Sequence, residues 1–181
     1  MATQSQEIQL MTDLPNFELQ GVDGKTYRLE DFDSSKVLVV GITCNHCPYV
    51  QAYEERISAL ASKYKEAPVS VLCVNSNDAV AYPDDAFDRM KERAKEKAFS
   101  FLYLRDETQS FAKSIGAACT PEFFVYDSTR KLRYHGRLDD QQDPKLVKRH
   151  YLDEVISSLL EGQDPPFSQT SAIGCSIKWK N

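Results

Sequence analysis

Val37-Leu38-Val39-Val40-Gly41-Ile42-Thr43-Cys44-Asn45-His46-Cys47-Pro48 runs an apolar stretch directly into a pair of cysteines. The run 37–42 is continuous rather than alternating, the pattern of a strand covered on both faces in a parallel sheet. Beyond it, Val50, Tyr53, Ile57, Leu60, Ala61 and Tyr64 fall on one helical stripe. Pro48 suits the first turn of that helix, where its missing N–H costs nothing. The cysteines therefore stand where a buried strand hands over to a helix, and free N–H groups and the helix dipole at such a corner stabilise a thiolate. This predicts Cys44 at the helix N-terminus as an exposed nucleophile. Cys47, in the first turn, is then the buried thiol that resolves a mixed disulfide. His46 sits between them and offers an N–H or a positive charge to the Cys44 sulfur. The competing reading makes both cysteines core thiols, although a strand-to-helix corner is a poor place to bury two unpartnered sulfurs.

Outward from this stretch, strands and helices alternate. Residues 16–32 read as a hairpin around Val22-Asp23-Gly24-Lys25. Further strands are expected at 69–74 and 101–104, with an antiparallel pair at 122–126 and 131–135. Helices are expected at 83–97, at 107–115 with Gly116 as its stop, and from Pro144 to Gly162. The order implies an α/β fold: a central mixed sheet with helices on both faces, an N-terminal hairpin and an aperiodic C-terminal tail. One domain is expected over 14–161, with a leader at 1–13 and the tail at 162–181.

The chain has 181 residues, 41% hydrophobic and 27% charged, enough for one core without staples. Twenty-two Lys and Arg against 27 Asp and Glu leave a net charge of −5, which argues against nucleic acid as a partner. No apolar run approaches the length of a membrane span. Residues 1–13 lack the cationic start and apolar core of a signal peptide, so a cytoplasmic chain is expected. Its five cysteines are an odd number in a reducing compartment, so they stand for core filler, metal ligands or redox chemistry rather than a disulfide framework.

Seven stretches together carry a specific resemblance: NFELQGVDGKTYRLEDF (16–32), TCNHCPYV (43–50), VNSNDAVAYP (74–83), YLRDETQSFAKSIGA (103–117), CTPEFFVYD (119–127), GRLDD (136–140) and GCSIKW (174–179). The chain resembles the thioredoxin superfamily, and more closely its peroxiredoxin-like branch of the redoxin and alkyl hydroperoxide reductase type. The resemblance implies a thioredoxin-like fold in which Cys44 matches the attacking cysteine and Cys47 the resolving one. It implies that Thr120-Pro121 is a cis-proline turn facing the pair, with the Thr120 backbone offered to an extended substrate. It also makes Asn45-His46 the intervening pair of a C-x-H-C motif, with a disulfide more oxidising than that of thioredoxin.

Departures from the family pattern are equally specific. Thr43 stands where thioredoxins carry Trp, and Leu38 where they bury an Asp. The peroxiredoxin Pro-x-x-x-Thr pattern is absent in both registers, which give Cys44 and Val40 before Cys47, or Gly41 and Val37 before Cys44. Arg137 alone matches the peroxiredoxin arginine. Glu122, next to Pro121, is a candidate substitute for that missing Asp, against the plainer reading as a solvated strand-edge carboxylate, and His135 and His150 read as surface or edge residues.

Cys73 reads as an inert core thiol. Cys119, two residues before Pro121, is either packed or close to Cys44. Cys175 lies 13 residues beyond Gly162, a span of about 43–47 Å when extended. A domain of this size has a radius of gyration of about 16 Å, so the tail reaches any point on its surface. Cys175 is accordingly a candidate extra resolving thiol, against the plainer reading in which Ile177 and Trp179 merely tether the tail.

The expected function is thiol–disulfide exchange at Cys44 and Cys47, without a cofactor. Its partners would be a disulfide-containing protein or small thiol substrate and an external thiol reductant. The alternatives are an antioxidant, peroxide-reducing enzyme working through a sulfenic acid, and a non-enzymatic metal module built on Cys44, Cys47, Cys119 and Cys175 with His46.

Overall fold

A computed structural model describes residues 2–180. In chain order it contains β1 (Ala2–Gln4), β2 (Glu18–Gly21), β3 (Thr26–Arg28), β4 (Val37–Thr43), α1 (Pro48–Lys63) and β5 (Val69–Asn75). There follow α2 (Phe87–Glu96), β6 (Leu102–Arg105), α3 (Ser110–Ser114), β7 (Cys119–Thr120), β8 (Glu122–Tyr126), β9 (Leu132–Gly136), α4 (Tyr151–Leu160) and β10 (Ile173–Ser176).

The apolar run around Val37 becomes the central strand. All seven residues of β4 are buried, and β4 pairs parallel with β5 on one side and antiparallel with β8 on the other. The seven-stranded mixed sheet has the order β3-β2-β6-β5-β4-β8-β9. Because side chains alternate along a strand, β4 feeds two cores. Leu38, Val40 and Ile42 pack with Phe111 and Ala112 of α3 and with Phe17. Val37 and Val39 pack against Tyr53 and Ile57 of α1, Met90 of α2, and Leu152, Val155 and Ile156 of α4. Each fully buried Ile or Leu among these stabilises the fold by roughly 1.5–3 kcal/mol. Position 38, a buried Asp in thioredoxins, is here plain hydrocarbon core.

Two helices begin later than their prolines suggest. Pro83–Asp85 forms a 3₁₀ turn, and α2 starts only at Phe87. Asp85 turns its carboxylate inward to four donors, and Ala86 is extended, so the turn cannot continue as helix. Pro144–Leu146 is likewise a 3₁₀ turn. The amides of Lys148 and Arg149 are held by Asp140 Oδ1 at 3.0 and 3.2 Å, outside the helix that starts at Tyr151.

Both chain ends carry strands. β10 pairs antiparallel with β1 through three residue pairs and with β7 through two, forming a second sheet of order β1-β10-β7. Ile177 is buried in the core, while Trp179 is 37% exposed with Lys113 over its ring. Gln109 binds the Lys178 carbonyl and the Lys180 amide, each at 2.8 Å. The tail that showed no periodicity is thus pinned on both sides of Cys175.

Candidate active site

β4 and β5 end side by side at Thr43 and Asn75, and the chain turns from β4 into α1 through Cys44-Asn45-His46-Cys47. Cys47 is the N-cap of α1, so it is Cys47 that stands at the helix terminus, and Cys44 lies on the preceding loop. Both are buried, at 1% and 0% exposure, against the expectation of an exposed Cys44. The tail strand covers them: Cys175 Sγ lies 2.7 Å from Cys47 Sγ. The Thr120–Pro121 peptide is cis, and its turn faces both sulfurs. Thr120 Oγ1 is 3.5 Å from Cys44 Sγ, and the Thr120 carbonyl oxygen is 3.4 Å from Cys47 Sγ.

The charge is shared unequally. Hydrogen bonding from Cys44 pulls the Cys47 thiol down to about 4, aided against burial by Cys175, the Val50 amide of the first helical turn and Thr120. That amide helps through the helix terminus without a formal capping hydrogen bond. The same pairing with Cys47 pushes Cys44 well up, and burial and the Asp85 charge add to it. Burial, and then the Cys47 sulfur, raise Cys175 to about 11. The two shifts run in opposite directions, down for Cys47 and up for Cys44.

His46 does not serve the Cys44 sulfur as expected. Its Nδ1 pairs at 2.5 Å with Asp85 Oδ2, and its ring stacks on Tyr82 at 5.3 Å. The pairing raises the imidazole's pKa against the opposing effect of burial. Asp85 is a hub that a reading of local sequence misses. Its Oδ1 also accepts from the Asn45 amide (2.6 Å) and Asn75 Nδ2 (3.1 Å), and its Oδ2 from Asn77 Nδ2 (2.9 Å). Burial works against the ionised carboxyl, but His46, Asn77 and the Asn45 amide hold it below its ordinary range. Asn45 is held further by the Tyr103 hydroxyl and by the Asp84 carbonyl. The one signal in the sequence was the run of amides at 75–77, at the same end of the sheet as Cys44.

Residues 10–156 match the Redoxin family model. The chain belongs to the Redoxin family. Two solved structures are similar over nearly their whole length. An uncharacterized conserved protein from Geobacillus kaustophilus is 41% identical, with 99% of this chain and 97% of that one covered and a TM-score of 0.94. A hypothetical protein from Sinorhizobium meliloti 1021 is 38% identical, with 98% of each chain covered and a TM-score of 0.93. The fold is also that of a peroxidoxin, BcpB, from Mycobacterium tuberculosis, at 17% identity, 86% and 98% coverage and a TM-score of 0.65. No curated protein matches the chain. Redoxin membership supports a thiol-based redox function. Among the described residues, no helix is long and apolar enough to cross a membrane.

Two further residues of this Redoxin chain are placed differently from their sequence reading. Glu122 is fully buried, not solvated, and His135 is its buried partner, with Nε2 2.6 Å from Oε1. Glu122 Oε2 accepts from the Ala118 and Cys119 amides at 2.7 and 3.0 Å. Glu122, held by His135, thereby fixes the segment that presents Thr120 and Pro121 to the sulfurs. The two residues lie on neighbouring strands, and nothing local in either stretch announces the pairing. Burial pushes the thiols of Cys73 and Cys119 well up, which makes both inert. Ligand atoms of Cys44, His46 and Asp85 lie within 4.8 Å of one another and are the residues that could hold a metal. The Asp85 oxygens, however, already accept four N–H donors, His46 Nδ1 among them. Arg137 Nε is bonded to the Ser171 carbonyl.

Proposed function

We propose that the chain is a thiol–disulfide oxidoreductase whose dithiol is Cys44–Cys47, with Cys47 as the attacking thiolate and Cys44 as the resolving thiol. The observation that carries this reading is the site's asymmetry. Cys47 is the N-cap of a 16-residue helix, beside Cys44 and the Val50 amide that pull its thiol down, whereas Cys44 faces the buried Asp85 carboxylate. The roles are the reverse of those implied by the resemblance.

The Cys47 thiolate attacks one sulfur of a substrate disulfide. The substrate S–S bond breaks, a Cys47 mixed disulfide forms, and the leaving thiolate takes a proton from solvent. Cys47 is then neutral, which removes the largest influence holding the Cys44 proton. Cys44 gives up that proton and attacks Cys47 Sγ, forming Cys44–Cys47 and expelling the second substrate thiol. Two electrons have passed to the substrate, a disulfide-containing protein or a small disulfide, and an external thiol reductant resets the pair. Thr120, against both sulfurs, holds the geometry of the exchange.

The thiolate's ultraviolet absorbance tests the assignment. In the reduced protein it should titrate with a midpoint of about 4 and vanish from that range in Cys47→Ser. In Cys44→Ala the midpoint should rise, because the strongest donor to the thiolate is gone. A midpoint at the free-cysteine value of about 8.5, indifferent to Cys44→Ala, would contradict it.

A second reading, peroxide reduction, has one observation in its favour. Cys47 is fully buried beneath Cys175, and a hydroperoxide is small enough to enter where a protein disulfide is not. Stopped-flow consumption of hydroperoxide, compared with that of free cysteine, separates the two readings.

A further inference from the structure

An extended peptide brought to Cys47 needs the free edge of β7, where the Thr120 backbone is available for pairing. In this chain that edge is taken by the chain's own β10, with Cys175 opposite Thr120 and Ser176 opposite Cys119. The approach is close enough to demand glycine next to the cysteine. A Cβ on Gly174 would lie 1.9 Å from the Thr120 carbonyl oxygen. The register delivers Cys175 Sγ to within 2.7 Å of Cys47 Sγ, and Cys175 is the one cysteine of the five that is not buried. Gln109 and Asn77 grip Lys178 downstream, and Ser5 binds Ala172 upstream, so the strand is held at this register from both ends.

We propose that β10 is a built-in substrate strand and that Cys175 is a third redox thiol, which forms a disulfide with Cys47. The proposal rests on Cys47 being the attacking thiol. With a low-molecular-weight disulfide as oxidant, the Cys47 thiolate attacks one of its sulfurs and expels one small thiolate, which is protonated by solvent. Cys175 then loses its proton and attacks Cys47 Sγ, forming Cys47–Cys175 and expelling the second small thiol. Two protein thiols have lost two electrons and two protons, and the small disulfide has become two thiols. Attack by Cys44 on Cys47 afterwards moves the bond to Cys44–Cys47 and frees Cys175, with no net oxidation. Once Cys47 is in a mixed disulfide, its negative charge no longer opposes ionisation of Cys175. While β10 is docked, the Thr120 edge is closed to protein disulfides.

The test uses full-length Cys44→Ser, reduced and then treated with glutathione disulfide, with alkylation under denaturing conditions and peptide mass mapping. The expected result is a Cys47–Cys175 disulfide, free thiols falling from four to two, and no lasting glutathione adduct. In Cys44→Ser/Cys175→Ser the adduct on Cys47 should persist instead. A stable Cys47–glutathione adduct beside a fully alkylatable Cys175 in the single variant overturns the inference alone. An unreacted Cys47 overturns its attacking role and the inference with it. Gly174→Ala provides an independent readout, made in the Cys44→Ser background for the disulfide and with all five cysteines kept for insulin reduction. Its Cβ forces β10 off Thr120, so Cys47–Cys175 should be lost while reduction of insulin disulfides rises several-fold, a gain that misfolding does not produce. An unchanged insulin rate and an unchanged Cys47–Cys175 bond would overturn the proposal.

Discussion

Cys47→Ser should lose single-turnover attack on an aryl disulfide by at least about a thousandfold, because a hydroxyl replaces the proposed attacking sulfur. Cys44→Ser should keep that first attack, releasing one equivalent of the chromogenic thiol, since the attacking sulfur and its helix terminus are intact. Any slowing should track the higher pKa of Cys47 once its strongest donor is changed. The measurement is the burst of released thiol in each variant. The opposite pattern, a burst in Cys47→Ser and none in Cys44→Ser, would return the attacking role to Cys44.

Asp85→Ala should destabilise the protein by about 3–5 kcal/mol, the range for breaking a buried charge pair from one side. The buried amides of Asn75, Asn77 and Asn45 and the His46 imidazole would all lose their acceptor together. The loss should depend on pH in a definite direction. His46 has its pKa raised on folding, so its stabilisation is complete below the ordinary value of 6.5 and fades as pH rises through the raised one. Asp85 is held low, so its share is complete above the ordinary value of 3.8 and fades as pH falls through the lowered one. The difference between wild type and Asp85→Ala should therefore be greatest between about pH 4 and 6.5 and shrink on either side. Urea unfolding across that range checks it. A difference that is constant with pH would mean the carboxylate and imidazole are not paired as charges.

The central sheet was legible because its cause is local. The unbroken apolar run at 37–42 can only be a strand covered on both faces, and the stripe from Val50 to Tyr64 can only be a helix against it. Helix starts were less legible. Pro83 and Pro144 do begin turns, but side chains held elsewhere, Asp85 in the site and Asp140 against two amides, delay each helix. The tail defeated periodicity altogether. The four residues of β10 are placed by pairing with β1 and β7, and a strand that short between two partners leaves no alternation to read. At the site, the cysteines and the Thr120-Pro121 turn were visible as motifs. Asp85, Glu122 and His135 were not, because each owes its role to a partner on another element. The proposed division of labour between Cys44 and Cys47 rests on the N-cap lying one turn later than expected and on the hidden carboxylate beside Cys44.

The reduction potential of the Cys44–Cys47 couple bears on the central claim most directly. Stabilising the Cys47 thiolate stabilises the reduced protein alone, since no thiolate exists in the disulfide. Equilibration with glutathione redox buffers, with the disulfide identified by mass mapping, should give a two-electron couple more oxidising than thioredoxin's value of about −270 mV. The expected displacement is tens of millivolts, on a scale of about 30 mV for each 1.4 kcal/mol. A potential at or below the thioredoxin value, or the absence of a Cys44–Cys47 disulfide at any poise, would contradict the account.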